Sequence, residues 1–561
     1  MSGLDLVIRN GLVIDGTGAD GYVADIGIAG GRIAEIGKIA ANGAQVIDAE
    51  GHAVTPGFID GHTHMDAQVN WDPIGTNSCW HGVTTVVMGN CGFSVAPVRK
   101  GGQAMVARNL ERAEDISGDA MNAGIDWTWE TFDQYLDTVD ALPKGINYSA
   151  YIGHSALRTW AMGERAFSED ASEDDLATMK AEIGRALDAG ALGFSTSRSS
   201  SHETSDDRPV ASRIASRDEV AQLVGSMKGR KGAMFELAHE LRMPGSPEGN
   251  EYYGWLRDLT VSSGVTTTFG VLGPVAPLQF REIDATRAAG GKMIAQTHSR
   301  GVNSVLSFMS TLPFDQLPVW QEFRQQPLEA QLAGLRDPAM RDKLEDAAKN
   351  AVYGKAIGAE ARAPDWDQFY VYDTPLPPYR SVGELSRERG VHPVTVVIDE
   401  ALARQLDLFF FQPFTGQADE DLVKTLRHPA SVMTFSDAGA HVSQIADASI
   451  HSHLIAYFCR KTGLLSLPEA VNMITRRGAE AWGFTDRGVL REGAIADINV
   501  FDPETFGPEL PKVAYDLPTG ARRLTQRSTG MKATIVSGEV LISEGEHTGA
   551  LPGKLIRRSD S

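Results

Sequence analysis

The sequence predicts an α/β protein: a TIM-like (β/α)8 barrel, a small β-sandwich formed by both chain termini, and an inserted lid subdomain. Three observations carry this reading. In the middle of the chain, eight short β-rich runs end in polar or glycine-rich residues, and many are followed by helical periodicity. That alternation is the pattern of a closed parallel sheet. Both ends of the chain instead alternate β-rich runs with Gly and Asp turns. One long stretch, residues 303–395, breaks the rhythm before the last strand.

Taken in order, residues 4–50 hold LDLVIRNGLVID, ADIGIAGGRIAEIG and AQVIDAEG, β-branched runs punctuated by turn formers. Barrel strands are expected at His52–Asp60, Val83–Met88, Tyr148–Ile152, Ala191–Ser195, Ala233–Leu237, Val265–Val271, Lys292–Gln296 and Ser431–Phe435. Between the third and fourth, Ser172 and Asp175 read as a capping box. Leu176, Met179, Ile183 and Leu187 form one apolar stripe, and Gly190 stops the helix. Residues 303–395 contain Trp320, a helical run near Leu328–Asn350 and the proline-rich Tyr372–Tyr379. They read as a lid over the barrel mouth, against the alternative of ordinary barrel helices with long loops. Gly493–Asp502 and Ala533–Ser543 return to hairpin chemistry, and the short basic tail Lys554–Arg558 reads as solvated surface. The expected division is 1–55 with 488–561 for the sandwich, 56–302 with 396–487 for the barrel, and 303–395 for the lid.

The chain of 561 residues is 42% hydrophobic and 22% charged, which gives ample apolar material for a large core. A net charge of -21 argues against nucleic acid, whose phosphates need clustered Lys and Arg. Three cysteines, Cys79, Cys91 and Cys459, give no disulfide framework and predict a reducing, cytoplasmic compartment. Met1–Ile14 carries Asp5 and lacks the basic-then-apolar plan of a signal peptide. No run reaches the ~18 apolar residues of a membrane span. The expected partner is a small molecule, with no nucleic acid and no membrane; a homo-oligomer stays open.

The chemistry-bearing residues cluster at predicted strand ends. His62 and His64 follow the first barrel strand. Residues i and i+2 of a strand share a face, so both can reach one metal. Cys91 follows the second strand between glycines, and a thiolate is a strong zinc ligand. His239 follows the fifth strand, and Asp437 the eighth. A lone His-x-His pair or a lone cysteine is weak evidence, since surface histidines and inert buried thiols are common. Five such residues at one end of parallel strands form a ligand set of borderline-soft character, suited to zinc. His154 and His298 follow the third and seventh strands and stand open as ligands, donors behind a ligand, or substrate contacts.

Two stretches are similar to the N-acyl-D-amino-acid deacylases of the amidohydrolase superfamily. They are Pro56-Gly57-Phe58-Ile59-Asp60-Gly61-His62-Thr63-His64 and Gly89-Asn90-Cys91-Gly92. Gly153-His154-Ser155-Ala156-Leu157-Arg158 and Ser436-Asp437-Ala438-Gly439-Ala440-His441 add to the resemblance, which runs from about residue 4 to residue 545. It implies one or two zinc ions per chain. His62 and His64 resemble the ligands of one position, and Cys91 and His239 those of the tighter one, with Cys91 able to bridge. Asp437 resembles the carboxylate that contacts metal and shuttles the proton. The chain departs from the family after the sixth strand, where Thr267-Thr268-Phe269-Gly270-Val271-Leu272 lacks the usual histidine. His298 is the candidate to replace it.

The resemblance implies hydrolysis of an N-acyl-D-amino acid by metal-activated water, with Asp437 carrying the proton to the leaving nitrogen. A cyclic amide, another amide or an ester is the alternative on the same site. An amino-acid carboxylate calls for a cation, and Arg198, Arg300 and Arg380 are the candidates.

Overall fold

The computed structural model describes residues 3–40, 44–353 and 363–558. Residues 354–362 of the expected lid, 559–561 of the expected sandwich, and Met1 and Ser2 of the N-terminal stretch lie outside the described residues. The eight barrel strands are Phe58–Asp60, Val83–Met88, Asn147–Gly153, Gly193–Ser197, Met234–Ala238, Thr266–Gly270, Met293–Thr297 and Ser431–Met433. Each pairs in parallel with the next, in sequence order. Val83–Met88 is buried along its whole length, as expected of a strand covered on both faces.

The ring closes just beyond the first and last strands. His62–Thr63 pairs in parallel with Phe435–Ala438, and the His64 N–H donates to the Ala438 carbonyl at 2.8 Å. The Gly61 N–H donates to Thr434 Oγ1 across the same seam. The closure therefore draws together the two segments that carry His62, His64 and Asp437.

The expected strand His52–Asp60 is in fact two. Ala53–Pro56 pairs with Leu12–Val13 and with Ile498–Phe501, and only Phe58–Asp60 joins the barrel. The switch falls at Gly57, whose N–H donates to the Asp497 carbonyl at 2.8 Å. A Cβ there would stand 2.1 Å from Thr84 Oγ1, so only glycine lets the chain cross from one sheet to the other at this point.

Both chain ends join one nine-stranded sheet. Its inward residues, among them Leu6, Ile8, Ile26, Val54, Ile498 and Ile535, form their own apolar core. Between the seventh and eighth barrel strands, Asn303–Ser307, Tyr370–Tyr372 and Phe409–Pro413 make a separate antiparallel sheet. Among the described residues, five helices between Pro318 and Ala403 pack with it on a core running from Leu306 to Phe410. Trp320 is fully buried there and donates its Nε1–H to the Leu344 carbonyl at 2.9 Å. The barrel helix Asp419–Arg427 then leads into the last strand.

The helix Glu173–Asp188 has the predicted capping box: Ser172 accepts from the Asp175 N–H, and Asp175 accepts from the Ser172 N–H. Met179, Ile183 and Leu187 are buried and Leu176 is half-buried. The basic tail departs from its expectation. Tyr148 donates to the Lys554 carbonyl, Ile556 to the Tyr148 carbonyl and Arg558 to the Gly190 carbonyl, so Lys554–Arg558 is bound along the start of the third barrel strand. Leu555 and Ile556 pack against apolar cores, while Arg557 donates to the Ala189 carbonyl and Arg558 to the Ala191 carbonyl. No helix among the described residues is long and apolar enough to cross a membrane.

Candidate metal centre

His62, His64 and Cys91 converge at the mouth of the barrel, with one donor atom from each lying within 4.8 Å of the others. All three are buried. Cys91 sits in a tight turn after the second strand, at φ 55°, between Gly89 at φ 81° and Gly92 at φ 74°. A Cβ on Gly92 would lie 2.8 Å from Ser197 N and from Thr196 Cα, so the backbone of the fourth strand requires glycine there. The turn is fixed from inside the barrel, where the Cys91 N–H donates to Glu236 Oε2 at 2.6 Å.

Asp437 completes the cluster. Its Oδ1 lies 3.1 Å from His62 Nε2 and 3.3 Å from His64 Nε2, and Cys91 Sγ lies 3.4 Å from the same His62 nitrogen. Asp437 is held at φ 52°, the kind of backbone strain that collects at functional sites. Behind the rings, the far nitrogen of His62 is hydrogen-bonded and that of His64 faces a carboxyl. His62 Nδ1–H donates to Gln296 Oε1 at 2.6 Å, which turns Nε2 towards Asp437 and Cys91. His64 Nδ1 faces Glu114 Oε2 at 3.5 Å. Metal-binding histidines are oriented in this way by an acceptor behind the ring.

The electrostatics ask for a cation. Burial pushes the Cys91 thiol up, and the Glu236, Asp437 and Glu114 carboxyls push it further. Burial raises Glu236 to about 7 against the opposing His62 and Cys91 N–H, and it raises Glu114 well above the usual range. Burial would also raise Asp437, but His62 and His64 hold it well below 3.8. His62 is depressed by burial and then raised to about 9 by Asp437 and Glu236, whereas burial wins at His64 and lowers it to about 4. Glu114 Oε2 and Glu236 Oε1 are buried without a hydrogen-bond partner. Three carboxyls and a thiol thus surround two imidazoles. A proton on His62 meets part of that demand, and a divalent ion between the donors meets more of it.

The other predicted residues are dispersed. His239 lines the same cavity of about 330 Å³, but lies outside the three-donor cluster, with its Nε2 accepting from Gln279 at 3.0 Å. Burial lowers it to about 4. His154 is engaged at both nitrogens, with Thr196 Oγ1 at 2.8 Å and Glu219 Oε1 at 3.0 Å. His298 turns to Asp447 at 3.3 Å, so it does not stand in for the missing sixth-strand histidine in this cluster. Arg198 is bound to Glu240 and the Ala215 carbonyl. Arg300 pairs with Asp447 at 2.8 Å and faces a second, aromatic-walled cavity with Tyr370, Tyr372 and Tyr379. Arg380 is exposed and paired with Glu388.

Sequence reasoning missed Glu236, Gln296, Glu114, His202 and His441, all of which touch the cluster or line its cavity. Glu236 and Gln296 left a signal, since each is a polar residue inside an apolar barrel strand. Glu114 left none: it arrives from the loop after the helix Gln103–Glu111.

Comparison with known proteins bears on this geometry. Residues 45–542 match the Amidohydrolase family. The chain belongs to the amidohydrolase family. Its relatives include an N-acyl-D-glutamate deacylase and a D-aminoacylase, both from Alcaligenes xylosoxydans xylosoxydans. The first is 28% identical, with 100% of this chain and 97% of the relative covered. The second is 26% identical, with 99% and 98% covered. This amidohydrolase also shares its fold with an N-acyl-D-glutamate deacylase of Bordetella bronchiseptica, solved with zinc and a phosphonate mimic of the tetrahedral intermediate. That match has a TM-score of 0.65 at 23% identity and covers 99% of this chain and 100% of the other. The amidohydrolase is therefore of the D-aminoacylase-like branch.

Proposed function

We propose that this amidohydrolase is a zinc-dependent hydrolase of a linear amide, releasing a carboxylate from an N-acyl compound. The observation that carries the reading is the meeting of His62 Nε2, His64 Nε2, Cys91 Sγ and Asp437 Oδ1 in one buried place. Imidazole nitrogen, thiolate and carboxylate are the ligand types zinc takes. The deacylase relatives support an N-acyl amide ahead of a cyclic amide or an ester.

His62, His64 and Cys91 would hold the ion, with Asp437 beside it. Zinc supplies Lewis acidity, the means by which water gives up a proton near neutral pH and a carbonyl becomes a better electrophile. Gln296 keeps the His62 ring aimed inward, and Glu114 Oε2 stands 3.5 Å behind His64 Nδ1. Asp437, ionised at neutral pH, accepts the proton of the attacking water and returns it to the amide nitrogen as the C–N bond breaks. An amine leaves poorly as an anion, so this proton delivery decides whether the bond cleaves.

The test measures zinc per chain in wild type and Cys91→Ala, and amine release from a panel of N-acyl compounds in wild type and Asp437→Asn. Near-stoichiometric zinc that falls in Cys91→Ala is expected. A loss of about 10²–10⁴-fold in turnover for Asp437→Asn is expected with it. Zinc-free wild-type protein would refute the metal site. Zinc-loaded protein inactive on every amide would refute the reaction.

A further inference from the structure

We infer that the substrate of this site is a neutral, largely apolar amide, and not an N-acyl amino acid with a free carboxylate. The inference rests on the hydrolase reading above and concerns what lies beside the scissile bond.

The cavity in front of the metal cluster holds about 330 Å³, enough for a small ligand. Its walls are Leu237, Leu272, Val302, Phe414 and Ile445, with Leu241 at the mouth. Leu241 is 70% exposed, and Met243 beside it is 54% exposed, so an apolar lip faces water where a soluble surface is ordinarily polar. Ser199, Ser201 and Thr415 supply hydroxyls. Among the described residues that line the cavity, none is Lys or Arg.

Away from the metal cluster, a carboxylate taken into such a space would lose water without gaining a lysine or arginine partner. It would also approach the Asp437 carboxylate, which lines the same cavity. Four nearby arginines are committed elsewhere. Arg198 and Arg217 share Glu240, Arg300 is held by Asp447 behind the wall, and Arg112 is paired with Asp207 at 2.5 Å. Recruiting any of them would break an existing ion pair. A net charge of -21 adds a long-range penalty for an anion. An amide with an alkyl or aryl group on nitrogen meets none of these costs and gains by covering the leucines.

The experiment compares N-hexanoyl-D-leucine, N-hexanoyl-L-leucine and N-hexanoyl-isopentylamine, which is the same skeleton without the carboxylate. Zinc-loaded wild type is assayed for amine release, and binding of each compound is measured by calorimetry. The neutral amide is expected to exceed both acids by about tenfold or more in kcat/KM. In Leu241→Arg, at an exposed position, that preference is expected to fall by about tenfold with zinc content unchanged. A wild-type preference below tenfold, parity or reversal overturns the inference and leaves the hydrolase reading standing. Tighter binding of the neutral amide with no cleavage of any compound supports the inference and refutes the reaction. Failure of all three to bind or react overturns both.

Discussion

Glu219→Gln separates a structural role of His154 from a metal-binding one. Glu219 is buried between His154 Nε2, at 3.0 Å, and the Arg158 guanidinium, which donates to both carboxylate oxygens. Burial alone would raise this carboxyl, but His154 and Arg158 overrule it and hold it at about 2, against 4.5 for a free glutamate. The group is depressed in the fold, so its stabilisation is present above pH 4.5 and is lost as the pH falls towards 2. The linkage amounts to about 3 kcal/mol at pH 7 and about 1.4 kcal/mol at pH 3. Glutamine imitates the protonated acid, so the gap between wild type and variant should close along that curve. The assay is urea denaturation of both proteins at pH 7, 5, 4 and 3, with zinc per chain measured alongside. A gap that stays constant with pH would refute an ionised Glu219 as the source. Loss of zinc in the variant would refute the structural role and return His154 to the metal.

Three further outcomes follow from the packing. Gly92→Ala puts a Cβ 2.8 Å from the fourth strand's backbone at φ 74°, a left-handed conformation costing ~1–2 kcal/mol before the clash is counted. It should lower both zinc content and melting temperature, and wild-type zinc at wild-type stability would refute that reading of the turn. Trp320→Ala should cost ~3–5 kcal/mol within the inserted unit and speed hydrogen exchange between 303 and 413. Slow exchange there, as in wild type, would show that Trp320 does not anchor that core. Truncation after Gly549 removes four backbone hydrogen bonds between the tail and residues 144–190, together with Leu555 and Ile556. The expected loss is ~2–4 kcal/mol, read as a lower melting temperature; an unchanged melting temperature would make the tail dispensable.

Several features of this chain were legible one segment at a time. Val83–Met88 reads as a strand because its run is rich in β-branched residues and a glycine ends it, and the structure has those bounds. His62 and His64 could be paired on one ion because the period of a strand is two residues. Cys91 and Asp437 could join them because each follows a strand of the same barrel, whose C-terminal ends share one face. Backbone geometry repeats locally, so local sequence suffices to place such residues.

The partners behind those ligands were decided only by the fold. Gln296 reaches His62 across 234 positions of sequence, and Glu236 reaches the Cys91 N–H across 145. Neither distance has a local signature. The same holds for His154 and His298, which stand at strand ends like the ligands yet turn to Glu219 and Asp447. A histidine's chemistry is written in its side chain, but its role depends on which charge the packing sets beside it. Whether a carboxyl repels a substrate, orients an imidazole or pairs with an arginine depends on burial and on distances of a few ångströms. Those quantities exist only once the barrel has closed, because Coulomb and desolvation energies act through space and not along the chain.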